Sequence, residues 1–154
     1  MIRLSRHTVA AAAFALLLAG CGKSVDRAPV KPKGPDLSKY VGKYPFDPVD
    51  GVAWYDHPVV QAGVKATVKD ADIAAAIIDP AAGPSGPIWQ AKGKINAWGC
   101  EQHNCGDHQW TVMVKPETGK VDVCYADASK TPGQSRWIFA DGRDELRDDS
   151  CPQE

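Results

Sequence analysis

The sequence predicts a single α+β domain: an antiparallel β-sheet with helices packed on one face, stapled by two disulfides. Three observations carry this expectation. Apolar residues recur at helical spacing between Asp56 and Asp79. From Ile88 onward the chain changes to short segments rich in Val, Ile and aromatic residues, and consecutive strands with short connections pair antiparallel. Four cysteines follow, at 100, 105, 124 and 151, enough for two bridges. A chain of 154 residues allows one core of ordinary size and makes two independent cores unfavourable.

Taken from the N-terminus, Met1 to His7 is short and basic, with Arg3 and Arg6 and no acid. Thr8 to Ala19 is almost wholly apolar; a bilayer span needs about twenty such residues, so this shorter stretch suits a secretory h-region. It ends in Leu18-Ala19-Gly20-Cys21, which resembles a bacterial lipobox, so residues 1–20 read as a lipoprotein signal peptide and Cys21 as the lipidated residue. A plain signal peptide followed by a cysteine is the alternative. Acyl chains hold a protein at a membrane because each buried methylene contributes about 0.8 kcal/mol. Gly22 and Lys23 follow, without the Asp that retains such proteins in the inner membrane. The expected location is therefore the outer membrane, facing the periplasm. Residues 21–39 read as lipidated Cys and flexible tether, rich in Pro, Gly, Lys and Ser and too poor in apolar surface to fold. Residues 40–154 read as the folded domain. Beyond the first twenty residues, 16 basic and 19 acidic side chains leave a formal charge of −3, which excludes a polybasic nucleic-acid binder.

Within the domain, Asp56 is placed to cap a first helix with Pro58 in its first turn, and Val59, Val60, Val64 and Val68 form its apolar face. Asp70 caps a second, with Ile73, Ala74, Ile77 and Ile78 as its stripe and Pro80 ending it. Residues 81–87 are a loop. Ile88–Trp98, Trp110–Lys115, Val121–Tyr125 and Ser135–Ala140 read as strands, with a turn at residues 116–120. The acidic tail from Asp141 reads as a mostly solvated segment, loose without Cys151.

If Cys21 is lipidated, the other four cysteines in an oxidising compartment allow three connectivities. The favoured one is Cys100–Cys105 with Cys124–Cys151, since the first pair is separated by only four residues. Chain entropy assigns about 2 kcal/mol to the short bridge and about 3.5 kcal/mol to the long one. The long bridge is thus mainly a stability device, and the short one serves to hold a local shape.

That shape is the most informative part of the chain: Gly99-Cys100-Glu101-Gln102-His103-Asn104-Cys105-Gly106-Asp107-His108, a connection between two predicted strands. Bridged, residues 101–104 crown a small covalent ring with His103 near its apex. Such a ring loses little entropy on docking into a cleft. A histidine there offers a donor and an acceptor when neutral, or two donors when protonated.

Here the sequence resembles the bacterial inhibitors of vertebrate (c-type) lysozyme, the Ivy family. Their hallmark is a disulfide-closed loop, Cys-Lys-Pro-His-Asp-Cys, between strands of an antiparallel sheet flanked by helices. Cys100, His103 and Cys105 match it in type and spacing; Glu101, Gln102 and Asn104 stand where the family has Lys, Pro and Asp. The resemblance implies a periplasmic inhibitor, not an enzyme, whose loop Cys100–Cys105 enters a muramidase cleft and whose His103 bonds to both catalytic carboxyl groups. The implied partner is a c-type lysozyme or a bacterial cell-wall lytic enzyme, with no cofactor. Glu101 removes a cation that would face an acidic cleft, and offers instead a partner for a basic rim.

Other readings compete. A structural hairpin with a disulfide would make the chain a non-inhibitory envelope-binding or structural lipoprotein. A metal site would use Cys100, His103, Cys105 and His108 as zinc ligands, though all four crowd into one short loop. A Cys–His nucleophile would need a free thiolate. His57 reads as a surface or capping residue, and Trp98 and Trp110 as braces of the hairpin rather than sugar platforms. No nucleotide-binding loop, paired catalytic carboxylates or Ser/His/Asp motif appears.

Overall fold

Leu37 belongs to the core. In the computed structural model, which describes Gly34 and residues 36–78 and 83–154, Leu37 is fully buried beside a single 3-10 turn at Ser38–Tyr40. Leu37, within the stretch read as tether, and Tyr40 are both part of the core cluster. The stretch read as a signal peptide, Cys21 and most of the stretch read as a tether lie outside the described residues.

Two helices follow, α1 (Pro58–Thr67) and α2 (Ala71–Ile78). The cap of α1 is His57, not Asp56: Nδ1 of His57 accepts from the Val59 N–H at 3.3 Å. Proline is the reason. It forces the residue before it into extended backbone, and His57 sits at φ −66°, ψ 126°, the conformation an N-cap needs. Burial, helped by Lys39, lowers the His57 pKa and so favours the neutral ring that has a lone pair to offer. Asp70 caps α2 as expected, its Oδ1 accepting from the Asp72 and Ile73 N–H groups at 3.0 and 3.2 Å.

The rest is a six-stranded antiparallel meander: β1 (Trp89–Ala91), β2 (Lys94–Cys100), β3 (His108–Lys115), β4 (Lys120–Asp127), β5 (Ser135–Ile138) and β6 (Asp144–Arg147), paired in chain order. Two expectations are corrected. The single strand Ile88–Trp98 is in fact a hairpin, β1–β2, with Ala91 opposite Lys94. Lys92 and Gly93 form its two-residue turn, with φ 51° and 71°, the paired positive values that a type I′ hairpin turn requires. The acidic tail, read as a mostly solvated segment, supplies a further strand, β6, whose Glu145 lies opposite Trp137. Arg136 pairs with Asp144, Arg147 with Glu145, and the Arg147 guanidinium lies 4.4 Å over the Trp137 ring. A charged edge strand of this kind also discourages pairing with other chains.

Strand alternation sends Ile95, Val112, Val114, Val121 and Val123 to one face, where they meet Val60 and Val64 of α1 and Ile77 of α2. The closest approach is at Gly63, where an added Cβ would sit 2.1 Å from Val121 Cγ2. Thr67 fixes the same contact, its hydroxyl donating to the Val121 carbonyl at 2.7 Å. In a free helix Gly→Ala is stabilising; here Gly63→Ala is expected to cost about 1–3 kcal/mol by overpacking, measured as a lower urea midpoint with an unchanged slope.

The opposite face carries Met113, Cys124 and Trp137, covered by the C-terminal segment. Cys124 and Cys151 are bridged with 5.5 Å between Cα atoms, and Thr111 donates to the Pro152 carbonyl at 2.6 Å. The long bridge thus ties the tail to the sheet, as expected. Among the described residues no helix is long and apolar enough to cross a membrane.

Candidate functional site

The β2–β3 connection projects from the end of the sheet opposite the 116–119 turn. Cys100 pairs with Gln109, and the ladder continues one step further, the Glu101 N–H donating to the His108 carbonyl at 3.0 Å. Cys100 and Cys105 are joined, with 4.9 Å between Cα atoms, so the predicted ring exists. Cys100 is buried and anchors it, whereas Glu101, Gln102 and His103 are exposed.

Inside the ring the Asn104 N–H donates to the Glu101 carbonyl at 3.0 Å, closing a tight turn with Gln102 and His103 at its centre. His103 stands at φ 65°, in the left-handed region that glycine and asparagine enter more readily. Its ring extends into solvent at the apex. The Asn104 carbonyl accepts from the Asp107 and His108 N–H groups, which folds the second half of the connection back onto β3.

The base of the ring is clamped from the other side by residues 83–85. The Cys100 N–H donates to the Pro84 carbonyl at 3.0 Å, and Ser85 bridges to Gly99. Gly83 is required there: at φ 121°, a Cβ would lie 2.5 Å from both the Cys100 carbonyl oxygen and the Gln102 nitrogen. Gly99 meets a similar constraint, since a Cβ there would come within 3.1 Å of Trp110 Nε1.

A side-chain chain links the ring to the sheet. Oε2 of Glu101 accepts from the Asn104 amide at 2.7 Å and lies 3.0 Å from Nδ1 of His108; Nε2 of His108 lies 2.6 Å from the Tyr125 hydroxyl. The bond from Asn104, and next the one from His108, hold the Glu101 carboxyl below its usual pKa. An ionised carboxylate only accepts, so Nδ1 of His108 carries the proton and donates. Burial pushes the Tyr125 phenol up to about 12, so it stays protonated, with its oxygen beside Nε2 of His108. The His108 ring also meets Trp110 and Tyr125 edge-on, at 5.7 and 5.2 Å between centroids. This carboxylate–imidazole–hydroxyl series superficially suggests an activated nucleophile, but a buried phenol with a raised pKa is not one.

The structure brings Cys100, Glu101, Gln102, His103, Asn104 and Cys105 together in one loop. It does not join the proposed zinc ligands, because both sulfurs are consumed in the bridge and both nitrogens of His108 are engaged. Among the described residues no group of three or more His, Cys, Asp or Glu side chains is arranged to hold a metal ion. The thiolate nucleophile falls for the same reason. Glu101 bonds to Asn104 and His108 while its side chain remains half exposed. Trp98 and Trp110 brace the hairpin, Trp98 by donating to the Gln109 side-chain oxygen at 3.0 Å and Trp110 by its burial beneath His108. His57 lies on α1 as its cap. The roles of His108 and Tyr125 as supports were missed; fixing the hairpin register from the Cys100–Cys105 ring would have placed His108 opposite Glu101. Beside the ring, Glu101, Asp107 and Asp127 line an open hollow of about 450 Å³.

A model of the family described as inhibitor of vertebrate lysozyme (Ivy) matches residues 59–142, more than half of the chain, from α1 through β5 with the whole ring included. Neither the curated proteins nor the solved structures contain a match.

Proposed function

We propose that this chain, which belongs to the Ivy family of inhibitors of vertebrate lysozyme, inhibits a lysozyme-type muramidase by inserting the Cys100–Cys105 loop into its active-site cleft. One observation carries the reading: a lone exposed imidazole, His103, stands at the apex of a covalently closed and externally braced turn. A retaining glycosidase keeps two carboxyl groups about 5–5.5 Å apart, one protonated and one ionised. An imidazole between them donates to one and accepts from the other, and excludes the sugar. Because the finger arrives already shaped, little ordering entropy opposes binding. The domain's acidic balance favours encounter with a basic target, raising the association rate more than the affinity.

The partner in this reading is a c-type lysozyme or a bacterial cell-wall lytic enzyme of similar cleft. The lipobox-like Leu18-Ala19-Gly20-Cys21 supports an outer-membrane lipoprotein facing the periplasm, where it would guard the cell wall. The test is direct. Purified protein added to a vertebrate lysozyme clearing a cell-wall suspension is expected to slow clearing at micromolar excess or below. No effect on any of several lysozyme classes would overturn the reading in favour of a non-inhibitory envelope-binding module.

A further inference from the structure

We propose that Glu101 is a positioning residue of the loop: its carboxylate gathers Asn104 and His108 onto one oxygen and so holds the turn in which His103 is presented. The role rests on the loop-insertion reading above. Three features of the geometry lead to it. Glu101 and Asn104 are the two ends of the turn, and they are tied twice, through the backbone at 3.0 Å and through their side chains at 2.7 Å. The residues enclosed between them are Gln102 and His103, and His103 occupies a left-handed backbone that a histidine does not favour on its own. Finally, the same oxygen reaches His108, which is fixed to the sheet through Tyr125 and packed between two aromatic edges. The tip is thereby connected to β3 and β4 by side chains as well as by the disulfide.

The charge of Glu101 matters because a charge-assisted acceptor serves two donors where a neutral amide oxygen serves them weakly. The groups facing it are His108 from β3, Tyr125 and Asp127 from β4, and Asn104 within the ring, while Asp107 lines the same hollow and Lys130 reaches Asp127. Its carboxyl is held below the usual pKa, so the brace is complete above the ordinary glutamate range and is lost as pH falls through the lower folded value.

Glu101→Gln imitates the protonated state. On the full chain, bound to a vertebrate lysozyme, it is expected to speed dissociation about tenfold at neutral pH, with a melting temperature close to that of the unsubstituted protein. His108→Gln is expected to speed dissociation likewise, with some loss of melting temperature because its ring packs against Trp110 and Tyr125, and the double variant to dissociate no faster than the faster single one. The ratio of the Glu101→Gln rate to the parent rate reports on this brace; it is expected to fall towards one at acid pH. Amides of Gln102, His103 and Asn104 are expected to exchange faster in Glu101→Gln than in the parent. Equal dissociation rates, a ratio that stays constant into acid, or an effect of Glu101→Gln that His108→Gln does not share would overturn the proposal. If the parent chain inhibits nothing, the loop-insertion reading fails and amide exchange alone decides: faster exchange supports the positioning role, unchanged exchange ends it.

Discussion

Replacing His103 by alanine is expected to remove nearly all inhibition while leaving the fold intact. Its ring is exposed and makes no hydrogen bond or ring contact among the described residues, so its loss is expected to open no cavity and strand no buried partner. In the complex the same ring would make two bonds to acidic groups in a desolvated cleft. At about 1.5–3 kcal/mol each, their loss weakens binding by roughly a hundredfold or more. The paired measurements are an inhibition constant and a thermal melt on the same preparation. A large fall in melting temperature would mean that the imidazole serves the fold; undiminished inhibition would mean that another surface does the work. Relief of left-handed strain works against neither outcome, because alanine tolerates that backbone no better than histidine.

The second large effect is on stability. The double variant Cys124→Ala, Cys151→Ala is expected to lose about 3.5 kcal/mol, chiefly because the unfolded chain regains a loop of some 27 residues. For a domain of this size that corresponds to a melting temperature lower by roughly 15 °C. Both sulfurs are buried against Met113 and Trp137, so some packing is lost as well. Inhibition at a temperature where the variant is still folded is expected to persist, because the Cys100–Cys105 ring has its own supports. A loss of inhibition in parallel with the bridge would show that the tail shapes the loop. The matched family segment, residues 59–142, includes Cys124 and ends before Cys151.

The sequence made some parts of this molecule plain and hid others for identifiable reasons. The two disulfides were legible because four cysteines at unequal spacing leave one pairing with a short, unavoidable loop. The apolar alternation of Val112, Val114, Val121 and Val123 marked the central strands, since buried strands speak through hydrophobicity. By the same token β6 was hidden: it is held by Arg136, Arg147 and cross-strand charges, and its single large apolar residue, Leu146, is exposed. The β1–β2 turn was hidden because Lys92 carries no signal for left-handed backbone, and only Gly93 hinted at it. At the site, the cysteines and His103 could be read from spacing alone. Glu101 could not. Its link to the sheet lies beyond the ring: His108 meets it, and Tyr125 meets His108, only through a register that pairing across three strands creates.

Gly83 gives the loop a consequence for anyone wishing to copy it. The finger rests on a floor contributed by a segment well before it in sequence, and its side wall belongs to two later strands. A cyclic hexapeptide cut at the two cysteines would keep the tie and forfeit floor and wall alike. The smallest faithful mimic is therefore a miniature of the hairpin together with its neighbours, and an isolated macrocycle would spend its binding energy on finding the shape that the parent molecule has ready.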